Sequence, residues 1–202
     1  HDGTNPTKTG SITGYHPGDY TFPRTPAECF EICAGAILTQ NTAWPNVEKA
    51  LKALVEARAL EPDALLALPQ EELATLIRPS GFHNAKAVKL KALAAFHGQL
   101  TGRTLTRKEL LAVHGVGPET ADSIRLYAYG QPEMVVDAYT RRVFARLGWV
   151  PEDVTYEALK AFCVDNLPEG VELYQEFHAL VVEHAKRAKV CKASDWSRPL
   201  PR

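Results

Sequence analysis

Residues 111–126 contain the feature that most constrains the fold, because they predict two short helices joined by a glycine-rich turn. The turn uses Gly115 and Gly117, and the second helix begins at Pro118, which is favoured at a first helical position because no N–H is needed there. This arrangement predicts outward-facing main-chain N–H groups at a helix N-terminus, where phosphate binds. The glycines supply backbone freedom and omit the Cβ atoms that would keep a phosphate away.

Asp137 follows an apolar segment and precedes another predicted helix. This position predicts an N-cap whose carboxylate accepts N–H bonds from Tyr139 or Thr140. A helix N-terminus also keeps a carboxylate ionised, so capping is compatible with a role in chemistry. On these residues alone, a structural cap is the favoured interpretation.

The composition is that of an ordinary globular protein, with 202 residues of which 45% are hydrophobic and 23% charged. The formal net charge of −1 argues against a protein that coats polyanions, so nucleic-acid contacts would have to come from local clusters and main-chain N–H groups. Taken singly, each basic cluster is more typical of a solvated helix face. The clusters are Lys86, Lys89 and Lys91; Arg103, Arg107 and Lys108; Arg141, Arg142 and Arg146; and Lys186, Arg187, Lys189 and Lys192.

Apolar residues recur at helical spacing along the whole chain and predict an all-α fold. The predicted helices cover residues 29–39, 47–57, 62–67, 71–77, 85–100, 108–113, 118–129, 139–147, 156–166 and 173–189. Helix signals agree, since Thr25 and Thr106 precede predicted helices and Gly130 ends the helix after the turn. No repeat or low-complexity linker divides the chain.

The four cysteines, Cys29, Cys33, Cys163 and Cys191, include no C-x-x-C pair. Their wide separations predict reduced thiols and suit neither a compact zinc site nor a disulfide scaffold. No apolar run reaches the roughly 20 residues that a membrane span needs, and the N-terminus lacks an apolar signal core. We therefore expect a cytoplasmic, nucleoid-associated protein.

Four motifs occur in a defined order: LTQNT at 38–42, SGFHNAK at 80–86, GVGPETA at 115–121 and VVD at 135–137. Together they resemble the helix-hairpin-helix DNA glycosylases of the HhH-GPD superfamily, which are related to endonuclease III, over about residues 30–150. The resemblance implies two helical lobes with the active cleft between them. One lobe spans 27–131 with the hairpin at about 108–129, and the other combines 1–26 with 132–202. The implied partner is double-stranded DNA containing a damaged base, bound by a monomer.

The resemblance reverses the interpretation of Asp137. In this family the catalytic aspartate lies eighteen residues beyond the residue that decides the reaction type, the spacing between Glu119 and Asp137 here. Cleaving an N-glycosidic bond builds positive charge on the sugar, which a carboxylate stabilises while it orients water. Asp137 is therefore the predicted catalytic residue.

Glu119 is a departure from the endonuclease III pattern. Relatives that also nick the strand have a lysine there, whose amine forms a Schiff base with the sugar, and a glutamate cannot do this. The chain therefore resembles the monofunctional 3-methyladenine DNA glycosylases, which leave an abasic site. The alternative interpretation of Glu119 is an acid that stabilises the first turn of a helix.

The damaged base must leave the stack before the sugar can be reached. The resemblance implies that Gln40 fills the vacated gap, that Phe82 is an apolar wedge, and that His83 and Asn84 hold phosphate or sugar. The resemblance also implies that the hairpin contacts DNA through Gly115, Val116, Gly117, Glu119 and Thr120. For Gln40, a polar helix end is the alternative.

An alkylated purine is cationic or electron-poor, so stacking between aromatic faces would select it. Trp44 is the best candidate for this base pocket, with Tyr20 and Phe22 as lids, whereas Trp149 is expected to pack in the core. For each of these aromatics a structural role is equally compatible with the sequence.

No cofactor is expected to be required. Iron–sulfur relatives carry four closely spaced C-terminal cysteines, whereas this chain has only Cys191 there, so we predict no cluster. The resemblance does imply a monovalent cation, Na⁺ or K⁺, on the main-chain carbonyls of Leu111, Val113 and Val116. His178 and His184 are six residues apart and do not share a helix face, which indicates structural or phosphate-facing roles.

Two alternatives remain open at this point. The first is an endonuclease III-like glycosylase for oxidised pyrimidines, with its lyase step lost or supplied by another amine. The second is a non-catalytic DNA-binding protein that uses the hairpin only as a clamp.

Overall fold

The computed structural model describes residues 20–98 and 105–190, with side chains up to residue 187. This part of the chain is helical and contains no strand, so the predicted all-α fold is confirmed. The helices are α1 (Pro26–Leu38), α2 (Trp44–Glu56), α3 (Pro62–Ala67), α4 (Gln70–Leu76), α5 (His83–His97), α6 (Arg107–Leu111), α7 (Pro118–Ser123), α8 (Ala138–Arg146), α9 (Tyr156–Asn166) and α10 (Val171–Val190). None of the described helices is both long and apolar enough to cross a membrane.

The predicted helix starts are correct where the sequence carries capping signals. Thr25 caps α1 in a reciprocal capping box with Glu28, and Thr106 caps α6 in the same way with Glu109. In each box the threonine hydroxyl accepts a main-chain N–H of the first turn, while the glutamate carboxylate accepts the N–H of the capping residue. These local contacts fix both helix starts without help from the rest of the fold.

The helix after the hairpin differs from the single helix predicted over residues 118–129. α7 ends at Ser123, and a π-helical turn continues from Ile124 to Ala128. Four of the five residues in this turn are buried, and the turn packs against α1. Periodicity did not predict this widened turn, because its buried residues do not follow the 3.6-residue repeat of an α-helix.

The chain divides into two compact units, one ending at Glu133 and the other beginning at Met134. In the first unit, α1 packs against α2, α5, α7 and the π-helical turn. α1 and α5 run antiparallel, because the Lys86 ammonium near the start of α5 binds the carbonyl of Leu38, while His97 at the end of α5 contacts Phe30. The C-terminal end of α1 and the N-terminal end of α5 therefore lie together.

The second unit begins with a buried segment, 134–136, that lies outside any helix and leads into α8. Phe144 of α8 makes edge-on contacts with Phe162 of α9 and Phe177 of α10. Trp149 also meets Phe144 edge-on but is 56% exposed, so the expectation that it packs in the core was wrong. The lobe to which residues 1–26 contribute remains a prediction, and residues 1–19 lie outside the described part.

Candidate nucleic-acid interface and active site

The hairpin turn between α6 and α7 needs glycine at one of its two predicted positions. Gly115 has a φ of +85°, and a Cβ atom there would lie 2.2 Å from Cγ of Lys89. Both the backbone conformation and the close packing of the Lys89 side chain therefore exclude larger residues. The lysine crosses directly beside the turn and supports it.

Gly117 does not need the backbone freedom that the sequence suggested. It is the N-cap of α7 with φ −92° and ψ 178°, which is extended backbone open to any residue. A Cβ atom added there would meet nothing within 4 Å. That part of the prediction was wrong: what glycine provides at this position is open space beside the helix start.

Gln40 joins the end of α1 to the hairpin. Its side-chain N–H group donates to the carbonyl of Gly115 at 3.0 Å and to the Thr120 hydroxyl at 3.1 Å. The Lys89 ammonium donates to the amide oxygen of Gln40 at 2.7 Å. The predicted gap-filling side chain thus lies against the hairpin turn that is predicted to bind phosphate.

Phe82 has the properties expected of a wedge. It is 69% exposed and precedes α5 in a left-handed conformation with φ +47°. The neighbouring His83 is partly buried and Asn84 is exposed. The turn before α5 thus exposes an aromatic ring to solvent, and core packing does not account for an aromatic residue at this position.

Lys86 holds this turn against α1. Its ammonium donates to the carbonyls of Leu38 and Ser80, each at 2.7 Å, and the residue is only 2% exposed. Burial, aided by the nearby Lys89 charge, lowers the pKa of Lys86 to about 8. Lys86 therefore links the turn to α1 inside the protein. The prediction that its basic cluster is a solvated helix face was wrong for this residue.

Other members of the basic clusters are also engaged within the protein. Lys91 donates to the carbonyls of Leu66 and Leu68. Arg107 forms a 2.6 Å ion pair with the fully buried Asp122. These two cations stabilise the first unit through the contacts they make.

Asp137 caps α8, as predicted, through Thr140. One carboxylate oxygen accepts the Thr140 N–H at 2.8 Å and the Thr140 hydroxyl at 3.0 Å, and the other lies 3.7 Å from Nε2 of His178 on α10. Burial raises the pKa of Asp137, but His178 and the Thr140 contacts lower it more, so the net pKa is below its usual value. The result is a largely buried carboxylate that stays ionised at neutral pH.

The predicted base-pocket aromatics are all partly buried. Trp44 opens α2 and packs against the core of the first unit, where its ring lies 3.7 Å from the Cβ position of Gly35. Tyr20 precedes α1, and the guanidinium of Arg24 lies 4.1 Å from the Phe22 ring centroid. The contacts of Trp44 thus give it a packing role in the first unit.

Comparison with known proteins identifies the family. The HhH-GPD superfamily of base excision DNA repair proteins matches residues 34–169. The chain belongs to this superfamily. A protein of Methanocaldococcus jannaschii that is provisionally described as a DNA repair glycosylase is 45% identical over 174 residues, covering 80% of this chain and 79% of the relative.

Two solved structures of HhH-GPD proteins resemble the chain. The 3-methyladenine DNA glycosylase MagIII of Helicobacter pylori, bound to 1,N6-ethenoadenine, has a TM-score of 0.70 and 29% identity, over 83% of this chain and 92% of that protein. A trapped endonuclease III–DNA covalent intermediate has a TM-score of 0.74 and 26% identity, over 88% of this chain and 82% of that protein. As an HhH-GPD protein, the chain is a DNA-binding glycosylase of base excision repair.

Several of the predicted DNA-contacting residues lie together in the structure, and some contacts at the site were not predicted. Gln40, Gly115 and Thr120 form one hydrogen-bonded group, while Val116 is buried and Glu119 is exposed in the first turn of α7. The carbonyl of Val113, a predicted cation ligand, accepts the N–H of Val116 at 3.0 Å and has a second lone pair for a cation.

The sequence did not predict the contacts that Lys86, Lys89 and His178 make. Each acts through a side chain that reaches a residue 41 or more positions away, as with the pair His178 and Asp137, so no local pattern indicates it. His184, the other histidine considered, is exposed on α10.

Proposed function

We propose that this protein is a monofunctional DNA glycosylase that hydrolyses the N-glycosidic bond of alkylated bases of the 3-methyladenine type and leaves an abasic site. The environment of Asp137 carries the proposal. Its carboxylate is buried, kept ionised by His178 and Thr140, and fixed in orientation by the cap of α8. A fixed anion is suited to stabilising the positive charge that develops on the sugar as the base departs.

The hydrolytic step would use the Asp137 oxygen that is not bonded to Thr140. That oxygen accepts a proton from, or orients, the water that adds to the anomeric carbon, and the base leaves with the bonding electrons. His178 acts as a positioning residue, since it holds the carboxylate from α10. An alkylated purine is already a good leaving group, so no strong general acid is needed.

Glu119 supports the monofunctional assignment. Its carboxylate stands in the first turn of α7 at the position where strand-nicking relatives have their lysine. The Lys89 and Lys86 ammonium groups are bonded to Gln40 and to main-chain carbonyls. A carboxylate at position 119 cannot itself form a Schiff base with the sugar.

The alkylated-base specificity is supported by the similarity to MagIII. A cationic base between aromatic faces gains roughly 0.5–2 kcal/mol per good contact. Tyr20, Phe22 and Trp44 are the proposed sources of these faces, and Phe82 and Gln40 would open and fill the duplex. We further propose a monomer that requires no cofactor, with the Na⁺ or K⁺ at the hairpin only supporting phosphate binding.

The decisive experiment is single-turnover base release from methylated duplex DNA, with the freed bases identified by chromatography. The wild type should release 3-methyladenine, and the strand should break only after alkali. Asp137→Asn should abolish release while it retains DNA binding. The matched control is Asp165→Asn, an exposed aspartate on α9 in the same unit, which should behave as the wild type.

An endonuclease III-like activity on oxidised pyrimidines is the second candidate, favoured by the similarity to the trapped endonuclease III complex. A duplex containing an oxidised pyrimidine, incubated with borohydride, separates the two because a covalent adduct requires an amine nucleophile. Release of that base, or an adduct, would replace the alkylated-base assignment. Unchanged biological function of Asp137→Asn would instead indicate a hairpin protein that only binds DNA.

A further inference from the structure

Two thiols and an imidazole converge in the first unit, and the proposed glycosylase function uses none of them. Sγ of Cys29, Sγ of Cys33 and a ring nitrogen of His97 all lie within 4.8 Å of one another. Cys33 is buried and Cys29 is partly buried. We propose that Cys29, Cys33 and His97 form a binding site for a borderline-soft divalent cation of the Zn²⁺ class.

The two helices bring these groups together through their antiparallel packing. Cys29 and Cys33 are four residues apart and therefore share one face of α1. His97 is the last residue of α5, and its ring stands edge-on to Phe30 with centroids 5.1 Å apart. The site is thus built from two well-packed helices, with its imidazole held in place by a neighbouring ring.

The spacing fits tetrahedral coordination after small side-chain movements. Zinc binds thiolate sulfur at about 2.3 Å and imidazole nitrogen at about 2.0–2.1 Å, which places tetrahedral ligands about 3.5–3.8 Å apart. Contraction from the observed limit of 4.8 Å is therefore about 1 Å, within the reach of rotamer adjustment. A water would supply the fourth ligand, as in zinc sites with three protein ligands.

The donor set selects the class of cation. Thiolate and imidazole favour zinc and similar metals, whereas magnesium and calcium prefer oxygen ligands. Binding one cation holds both sulfurs as thiolates, and the protons that they lose go to solvent, with no redox change. The hydrogen bond from the Cys29 thiol to the carbonyl of Ala128, 3.3 Å long, is given up in the process.

A disulfide is a poor alternative use of the same thiols. Side chains at positions i and i+4 of a helix have Cβ atoms about 5–6 Å apart. A disulfide needs about 3.5–4.5 Å between those atoms, so it would require the first half of α1 to unwind. A cation between the sulfurs spans the wider gap without changing the helix.

The position of the cluster indicates a structural role. Cys29 lies nine residues before Leu38, which corresponds to about 14 Å along α1 at 1.5 Å per residue. The cation would join the start of α1 to the end of α5, at the end of this helix pair opposite to Gln40 and Phe82. We therefore expect metal to raise the melting temperature without entering the chemistry.

The test is a Co²⁺ titration of the full reduced chain with Cys163→Ser and Cys191→Ser in the background, so that only the two proposed thiols remain. Near-ultraviolet thiolate-to-cobalt absorption should saturate at one cation per chain and disappear on adding Zn²⁺. Zn²⁺ should also raise the melting temperature.

Cys29→Ser and His97→Gln should each weaken binding by roughly 100-fold or more. His184→Gln, which changes an exposed histidine of α10, should bind as the background does. Circular dichroism checks the fold of each variant, and either folded variant is sufficient for the comparison. Absence of thiolate absorption at one equivalent, or affinity unchanged in a folded variant, would overturn the proposal.

Discussion

Replacing Gly115 and Gly117 one at a time should separate two effects. The first substitution should lower the stability of the fold, and the second should weaken DNA binding. Gly115→Ala forces a non-glycine residue to φ +85° and places its Cβ 2.2 Å from Cγ of Lys89. The left-handed backbone costs roughly 1–2 kcal/mol. Displacing Lys89 adds about 1–2 kcal/mol more, since the 2.7 Å hydrogen bond to Gln40 must be disturbed. The total predicts a melting temperature lower by roughly 5–12 °C.

Gly117→Ala should have the opposite profile. Its backbone is extended and its Cβ would enter open space, so the free energy of unfolding should change by less than about 0.5 kcal/mol. If phosphate approaches the main-chain N–H groups there, the methyl group blocks a charge-assisted hydrogen bond of about 1.5–3 kcal/mol. Affinity should then fall by roughly 10- to 150-fold, equally for damaged and undamaged duplexes.

Thermal unfolding and fluorescence anisotropy with labelled duplexes measure the two effects. Gly130→Ala is the matched control, because Gly130 has φ +57° but no atom within 4 Å of its Cβ position. It should cost the backbone contribution alone, so the excess loss in Gly115→Ala reports the Lys89 contact. Wild-type DNA affinity in Gly117→Ala, or wild-type stability in Gly115→Ala, would refute the reasoning.

Three further substitutions test the interface and the proposed active site. Phe82→Ala should leave the melting temperature within about 2 °C, since the ring is 69% exposed, yet reduce single-turnover base release at least tenfold. Lys86→Met leaves two main-chain carbonyls without their donor and should lower the free energy of unfolding by about 1–3 kcal/mol in urea titrations. His178→Asn removes a group that lowers the pKa of Asp137, so the acid limb of the rate profile should move to higher pH. An unmoved limb would contradict the positioning role. Because the folded pKa of Asp137 is depressed, its ionised form stabilises the protein above the unfolded value of about 3.9, and this stability is lost as pH falls through the lower folded value.

Local signals predicted the helices well, because their causes are local. The caps at Thr25 and Thr106 and the proline at the start of α7 each act within one helical turn. The cap at Asp137 was predicted for the same reason, with Thr140 as its partner. Local signals did not predict the π-helical turn at 124–128, because packing against α1 shapes its backbone.

Contacts between distant residues explain the rest. In the sequence, Lys86 cannot be distinguished from a surface lysine. In the structure, its ammonium group donates to two main-chain carbonyls, one at the end of α1 and one in the turn before α5. Cysteine spacing alone indicated no metal site, since the third ligand, His97, is 64 residues beyond Cys33. The predicted need for backbone freedom at Gly117 was wrong, because the sequence does not distinguish a glycine with a positive φ from one that leaves open space beside the backbone.

The hydrogen bonds of Gln40 set a cost for moving its side chain away from the hairpin. Moving it outward breaks its bonds to Gly115, Thr120 and Lys89, at about 0.5–1.5 kcal/mol each. At 1.4 kcal/mol per tenfold change, the detached side chain is populated in roughly one molecule in ten to one in a thousand. For the gap-filling role that we propose, the side chain would therefore have to gain at least as much from its contacts with DNA as these three bonds give it within the protein.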